Sequence, residues 1–318
     1  AVWMLATGLC FVAVNGIVRH LGTELPAAQS AFVRFAWGVV FLLPMLLPLV
    51  RAGLPPGALR LFGWRGLVHS AAVICWFYAM ARIPIAEVTA IGYLNPVLVT
   101  LGAALFFGEA LAIRRIMAVG VALIGALIVI RPGLREVSEG HLSQLAAAAF
   151  FAASYLFAKR LSQMVPAGTV VGMLSLAVTL GLLPFAIWVW VPMTWVQLGW
   201  LGLVAGFATV AHYCMTRAFR AAPLAVTQPV TFLQLVWATL LGTLVFDEAV
   251  DAFVLLGGAV IIGAISYITW REAQIKRRPV TPHEAETRFG PSSIPSGSPF
   301  DDSLIWPLGW VWGWHVGI

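Results

Sequence analysis

The chain reads PIAEVTAIGYLNPVLVTLGAALFFGEA over residues 84–110 and PLAVTQPVTFLQLVWATLLGTLVFDEA over residues 223–249. Aligned without a gap at an offset of 139, both segments begin with proline, carry Thr-Leu at the same place and end in Glu-Ala. Earlier residues align at an offset of 140, so that Asn15 corresponds to Tyr155. Internal repeats in an apolar chain are typical of secondary transporters.

Most of the chain is apolar, since 61% of its 318 residues are hydrophobic and only 10% are charged. A soluble domain carries about 25% charged residues, so this composition predicts a protein of the lipid bilayer. A helix needs roughly 20 apolar residues to cross the hydrocarbon core. Ten apolar runs have about that length, at residues 2–18, 27–49, 64–81, 86–107, 112–130, 141–158, 167–190, 196–216, 224–246 and 251–269.

The basic residues predict the orientation of these spans. They fall mainly in alternate loops, which places both termini in the cytoplasm by the positive-inside rule. The net charge of +6 therefore indicates orientation and not a nucleic-acid partner. Because each repeat holds an odd number of spans, the second must enter the membrane from the opposite side. The predicted fold is an all-α membrane protein of ten transmembrane helices in two inverted five-helix repeats, residues 1–135 and 136–272.

Residues 273–318 are expected to form a cytoplasmic tail. Its first residues are basic and suit anionic headgroups, and the following Pro- and Ser-rich stretch has a composition typical of disorder. The tail ends in a Trp-rich segment that suits a membrane interface or is an artefact of the sequence. We assign no function to it.

The run of residues 95–110, together with Gly120 and Gly125, resembles the signature of the EamA family in the drug/metabolite transporter superfamily. The resemblance extends from residue 1 to about residue 275. It implies a ten-span inner-membrane exporter of amino acids or other small metabolites that works by alternating access without a cofactor. In one departure, Leu235 stands where the first repeat has Pro96.

Prolines and amides near the expected membrane centre are the first candidates for solute binding. Pro96 removes a backbone hydrogen bond, and the freed carbonyl must find another partner within the bilayer. In the second repeat, Pro229 predicts a bend nearer the cytoplasm. Asn95 and its counterpart Gln234 suit a polar or zwitterionic solute, although interhelical hydrogen bonds worth about 0.6 kcal/mol each are the alternative. The candidate binding residues are Asn95, Gln234, Tyr93, Trp237, Trp76, Tyr155, Asn15, Gln228, His212 and Tyr78.

Two of these aromatic residues, Trp76 and Trp237, could stack on a solute, whereas Tyr78 could equally be an interface anchor. Arg34 lies inside span two, where it either pairs with Glu87 or binds a solute carboxylate or acts in gating. Glu109 and Glu248 end their helices, and we expect each to hydrogen-bond a neighbouring backbone group. The gating or structural set is Pro96, Pro229, Arg34, Glu87, Glu109 and Glu248.

The sequence favours a transporter over an integral-membrane enzyme. An enzyme would need a catalytic or metal-binding cluster, and the six histidines and three cysteines show no such spacing. His69 and His212 are either neutral and hydrogen-bonded or titratable, so proton coupling stays open. The expected partners are the bilayer and a small-molecule substrate, most simply an apolar or aromatic amino acid moving outward. A drug, a vitamin or a nucleotide-like metabolite is the alternative, and the sequence leaves the oligomeric state open.

Overall fold

A computed structural model describes residues 2–107, 113–134, 136–165, 167–221 and 224–277. Some helical residues within these ranges have a described backbone but no described side chain, among them 224–229. Glu109 and the tail from residue 278 lie outside the described residues. The helices are α1 (Val2–Leu21), α2 (Ala27–Ala52), α3 (Ala58–Met80), α4 (Ile85–Gly92), α5 (Asn95–Phe107), α6 (Ile113–Ile130), α7 (Glu139–Ser162), α8 (Ala167–Trp188), α9 (Trp195–Ala221), α10 (Leu224–Phe246) and α11 (Ala252–Arg277).

Within the described ranges the protein is all-helical, and seven segments are long and apolar enough to cross a membrane. One of them, Ile85–Phe106, comprises α4 and α5 together. The prediction of an all-α membrane protein is therefore confirmed, because only helices satisfy their own backbone groups in lipid. The arrangement as ten spans in two inverted repeats stays a prediction.

The two halves of the chain interleave instead of packing as separate bundles. Helix α1 packs against α9 and α10, α3 packs against α7 and α8, α2 packs against α8 and α9, and α6 packs against α11. The main apolar core draws buried side chains from both halves, including Val14, Phe77, Ile91, Leu201 and Ile261. This packing places the interior of the protein at the junction of the halves.

Glycines allow the closest of these approaches. Where α6 meets α11, a Cβ atom on Gly257 would lie 2.5 Å from the carbonyl oxygen of Gly125, and one on Gly125 would lie 2.8 Å from that of Gly257. Backbone atoms can approach this closely only when both side chains are absent. Small residues at helix crossings in membranes serve this purpose.

Candidate functional site

The fourth predicted span is broken in its middle. Helix α4 ends at Gly92, and α5 begins at Asn95. The N–H groups of Tyr93 and Leu94 bond to carbonyls three residues back, which tightens the chain into a turn. Pro96 lies in the first turn of α5, where a missing N–H costs least, and it leaves the carbonyl of Gly92 without its helical donor.

Side-chain amides from three helices surround this break. Asn15 of α1 donates through Nδ2 to Thr89 Oγ1 at 3.4 Å, and Gln144 of α7 donates through Nε2 to the carbonyl of Val88 at 3.1 Å. Among the described residues, the side-chain oxygens of Asn15, Gln144 and Asn95 are buried and have no donor. Buried acceptors are nearly always satisfied, so these three oxygens can receive donors from a solute or from water.

Helix α10 lies against the break from the second half. The Tyr93 side chain is within hydrogen-bonding reach of the backbone of Leu235. Gln234 lies where α10 approaches α1, since a Cβ atom on Gly8 would be 3.4 Å from the Gln234 Cβ atom. Trp237 packs against a small cluster that includes Val12, and its Nε1 is buried without an acceptor among the described residues. Two predicted site residues of α10, Gln234 and Trp237, therefore lie against α1.

The proline of α10 has a different position from that of the first half. Helix α10 runs from Leu224 to Phe246 without a break, although it contains Pro229. The proline falls in the second turn of the helix, so the interruption seen at Pro96 has no counterpart here. The side chains of Gln228 and Pro229 are not described, and their assignment to the site stays a prediction.

An aromatic cluster joins α2, α3 and α7. The rings of Trp76 and Phe151 pack edge to face with centroids 6.0 Å apart, and Phe151 stacks on Tyr155 at 6.2 Å. His69 packs edge-on against Phe151 at 5.0 Å and against Phe35 at 6.0 Å. We call these five residues the aromatic cluster. Trp76 and Tyr155 were predicted site residues, whereas Phe35 and Phe151 were missed because single phenylalanines in an apolar chain carry no distinctive signal.

Next to the aromatic cluster lies a group of basic side chains, Arg34, Arg65, His69 and His212, which we call the basic cluster. Arg34, Arg65 and His212 lie close enough to His69 to interact with it electrostatically, and Arg34 likewise lies close to His212. The His212 ring also packs edge-on against Phe11 at 5.5 Å. His69 Nδ1 lies 2.9 Å from the Ser154 hydroxyl, which fixes the ring between α3 and α7.

The two arginines of the basic cluster have no carboxylate partner in the described part of the chain. The Arg34 guanidinium lies over the ring of Phe35 at 4.0 Å, and its Nε is buried without an acceptor. Arg65 is 4% exposed and donates from Nη1 to the carbonyl of Val170 at 3.0 Å. A charge within a span costs about 2.5–3.5 kcal/mol on insertion scales.

Predicted span three, residues 64–81, put Arg65 at the very end of a span, and the structure corrects this. Helix α3 begins at Ala58, several residues before the apolar run that predicted span three. The spacing of Arg65 and His69 could have revealed the error, because residues four apart lie on the same face of a helix.

Of the alternatives left open for Arg34, pairing with Glu87 is not what the structure shows. Glu87 is buried in the first turn of α4 and lies 2.6 Å from Nε2 of His141 at the start of α7. The backbone N–H of Ser138 donates to His141 Nδ1 at 3.1 Å, so the ring proton is assigned to Nε2, which donates to the carboxylate. This pair joins the two halves near the ends of their helices.

Glu248 also joins the halves. Its Oε2 accepts a hydrogen bond from the backbone N–H of Ile85 at 3.0 Å, which is the first residue of α4. Its Oε1 lies 3.1 Å from Arg19 Nε, but the angle is not that of a hydrogen bond, so this contact is an ion pair alone. The counterpart Glu109 lies outside the described residues.

Tyr78 lies apart from the other predicted site residues. Its hydroxyl donates to Glu139 Oε2 at 2.5 Å, and the Arg82 guanidinium lies over its ring at 3.5 Å. Polar contacts at a helix end are those of an interface anchor. In the described part of the chain, no three metal-binding side chains come together.

Comparison with known proteins identifies the family. The EamA-like transporter family matches the chain twice, over residues 1–131 and 138–270. Riboflavin transporters of Vibrio cholerae and Rhizobium johnstonii are each 32% identical to it, over 87% and 88% of this chain and 95% and 93% of their own lengths. The pseudopaline exporter CntI of Pseudomonas aeruginosa is 26% identical over 80% of this chain and 90% of its own length.

A solved crystal structure with 22% sequence identity superposes with a TM-score of 0.52 and covers 85% of this chain and 98% of its own, which shows a shared fold. The named relatives are transporters of small molecules and not enzymes, as the sequence predicted. The chain belongs to the EamA-like transporter family and is a multi-pass transporter of small molecules in the bacterial inner membrane.

Proposed function

We propose that this transporter carries a planar aromatic metabolite with polar substituents, and that riboflavin is the first solute to test. The aromatic cluster carries this proposal, because Trp76, Phe151 and Tyr155 form a continuous set of rings inside the protein. Aromatic side chains of this kind stack on the flat faces of heterocycles, at about 1–3 kcal/mol for each stacked base in nucleic-acid complexes.

The polar groups at the α4–α5 break complement such a solute. The buried oxygens of Asn15, Asn95 and Gln144 are acceptors that have no donor among the described residues. The ribityl hydroxyls and the imide N–H of riboflavin are donors. Riboflavin transporters with 32% identity over most of both chains add support from relatives.

Transport by alternating access follows from the proposed inverted repeats. In the proposed repeat, α1 corresponds to α7, α2 to α8 and α3 to α9. The contact between α1 and α9 therefore has the contact between α7 and α3 as its counterpart, and both contacts are present. The contact between α2 and α9 likewise has the contact between α8 and α3 as its counterpart. The double match of the family and the odd number of predicted spans in each half support the same arrangement.

Two side-chain contacts agree with this relation at the level of single residues. A Cβ atom on Gly16 would lie 2.7 Å from Leu241 Cδ2, and one on Gly102 would lie 2.5 Å from Leu156 Cδ1. At the offsets of 140 and 139, Gly16 corresponds to Leu156 and Gly102 corresponds to Leu241. The two contacts are therefore counterparts in which glycine and leucine have changed places.

The proposed orientation places both termini in the cytoplasm. A cysteine in place of Gly133, between α6 and α7, should then react with an impermeant maleimide from outside, in a chain whose natural cysteines are replaced. A cysteine in place of Gly57, between α2 and α3, should react only after the membrane is permeabilised. Labelling of both positions from the same side would contradict an odd number of spans between them.

The solute is tested with purified protein in liposomes that contain riboflavin, whose release is followed by fluorescence. We expect faster release than from riboflavin-loaded liposomes without protein. The Trp76→Ala variant should have an apparent affinity for riboflavin that is about five- to 150-fold weaker, the equivalent of 1–3 kcal/mol. Trp188→Ala is the matched control, because Trp188 is 85% exposed at the end of α8. Equal activity of the Trp76 and Trp188 variants would exclude the aromatic cluster as the binding surface.

Export of apolar or aromatic amino acids is the second candidate. It is favoured by two amides that correspond in the repeat, Asn95 and Gln234. The side-chain oxygen of Asn95 is buried and has no donor among the described residues. The same liposomes loaded with threonine, methionine or phenylalanine test it, with Gln234→Ala expected to slow the flux. Amino-acid flux without riboflavin flux would replace the first candidate by the second.

A further inference from the structure

Four of the described arginines fall into two pairs that differ in their partners. Arg19 lies 3.1 Å from a carboxylate oxygen of Glu248, and Arg131 hydrogen-bonds Asp251. Both lie at or just beyond a helix end. Arg34 and Arg65 each lie eight residues into their helices, about 10 Å along the axis, and neither has a carboxylate within the described ranges.

The surroundings of the two inner arginines contain no compensating charge in the described part of the chain. Arg65 is nine-tenths buried, and its Nη1 is held by the carbonyl of Val170 while its Nε has no acceptor among the described residues. The titratable groups that face the pair are His69, His212 and Tyr155, and none of them is an acid that ionises below neutral pH. A positive potential therefore persists inside the protein.

Arg34 is the member of the pair that a solute can reach. Its side chain is only partly buried, and its guanidinium lies over the ring of Phe35 at 4.0 Å. Phe35 packs against His69, His69 packs against Phe151, and Phe151 packs against Trp76. The guanidinium of Arg34 therefore lies at one end of the aromatic cluster. A guanidinium presents planar donors that match a carboxylate or a phosphate.

We propose that the guanidinium of Arg34 binds an anionic group, a carboxylate or a phosphate, of an aromatic solute, in a positive potential that Arg65 strengthens. The inference rests on the proposed function, since it assigns the aromatic part of that solute to the aromatic cluster. It makes the preferred solute an aromatic anion and gives Arg34 a role in specificity. Buried charges are normally paired, and here the solute completes the pair.

Two matched pairs of probes test this proposal, and each pair differs in one anionic group. The first is riboflavin and its 5′-monophosphate, and the second is indole-3-acetate and indole-3-acetamide. Binding to the purified full chain in detergent is measured by equilibrium dialysis at constant ionic strength. We expect the anion of each pair to bind at least tenfold more tightly than its neutral partner.

Variants assign that preference to Arg34. Arg34→Gln should reduce the tenfold preference to less than about twofold, and Arg34→Lys should keep only part of it, because the charge remains but the planar pair of donors is lost. Arg131→Gln is the control, because Arg131 already has Asp251 and should leave the preference unchanged. Thermal unfolding of each variant shows whether it is folded, and added inorganic phosphate should raise the unfolding temperature of the wild type more than that of Arg34→Gln.

The outcomes separate the two proposals. Binding of both indole compounds without either flavin would overturn riboflavin-like transport, and the indole pair would still decide the role of Arg34. Equal binding of anion and neutral partner by the wild type would overturn the anion site. The same preference in Arg34→Gln as in the wild type would also overturn it, as would a phosphate effect that the variant retains.

Discussion

Replacing Gly257 by alanine should destabilise the protein through the contact between α6 and α11. The added Cβ atom would lie 2.5 Å from the carbonyl oxygen of Gly125, whereas ordinary contacts begin at 3.4 Å. The added atom would also lie 2.6 Å from Cγ2 and 3.1 Å from the backbone nitrogen of Val129. Because the closest atom is a backbone carbonyl oxygen, rotation of the Val129 side chain cannot relieve the strain. The two helices would have to separate by about 0.9 Å at their crossing, the difference between 3.4 Å and 2.5 Å.

Two effects of opposite sign set the size of the change. Overpacking in a tightly packed interior costs about 1–3 kcal/mol. The loss of glycine from a helix returns about 0.5–1 kcal/mol, because alanine loses less backbone entropy on folding. We therefore expect Gly257→Ala to lower the free energy of unfolding by up to about 2.5 kcal/mol.

Gly263 provides the control on the same helix. A Cβ atom there meets nothing within 4 Å, so Gly263→Ala should raise the free energy of unfolding by about 0.5–1 kcal/mol. Both variants are unfolded with sodium dodecyl sulfate in mixed micelles, and helix loss is followed by circular dichroism. The reasoning fails if Gly257→Ala is as stable as Gly263→Ala.

Two further predictions concern the contacts that join the halves. Glu248→Ala should lower the free energy of unfolding by about 1.5–3 kcal/mol, because a hydrogen bond to a charged group is lost. Glu248→Gln keeps an acceptor and loses only the ion pair with Arg19, so it should cost less. Equal unfolding free energies for the two variants would contradict this. His141→Ala should lower the free energy of unfolding by about 3–5 kcal/mol, because it removes the Nε2 donor from the buried Glu87 carboxylate. Adding Glu87→Gln should restore part of that loss in the same unfolding assay, and no recovery would show that the carboxylate was not the cause.

The fourth span shows how far the sequence predicts a local feature. Pro96 indicated a weakened backbone within an apolar run, because proline lacks an N–H, and the structure breaks the span at the residues just before it. The same reasoning predicted a bend at Pro229, and that bend stays a prediction, since α10 runs through this proline without a break. Pro96 lies in the first turn of α5, whereas Pro229 lies in the second turn of α10, where a proline can kink a helix without ending it. The effect of a proline therefore depends on where the helix begins, and that boundary is set by tertiary packing.

The sequence by itself determined that this chain is a helical membrane protein with an internal repeat, because hydrophobicity, the spacing of apolar runs and the repeated segments are properties of the order of residues. It also supplied Trp76, Tyr155, Asn15 and Asn95 as candidate site residues. Only the tertiary structure decided that Glu87 pairs with His141 and leaves Arg34 without a carboxylate among the described residues. Pairings between helices far apart in the chain depend on distances and rotations about each helix axis, and the sequence pattern of a single helix does not encode them.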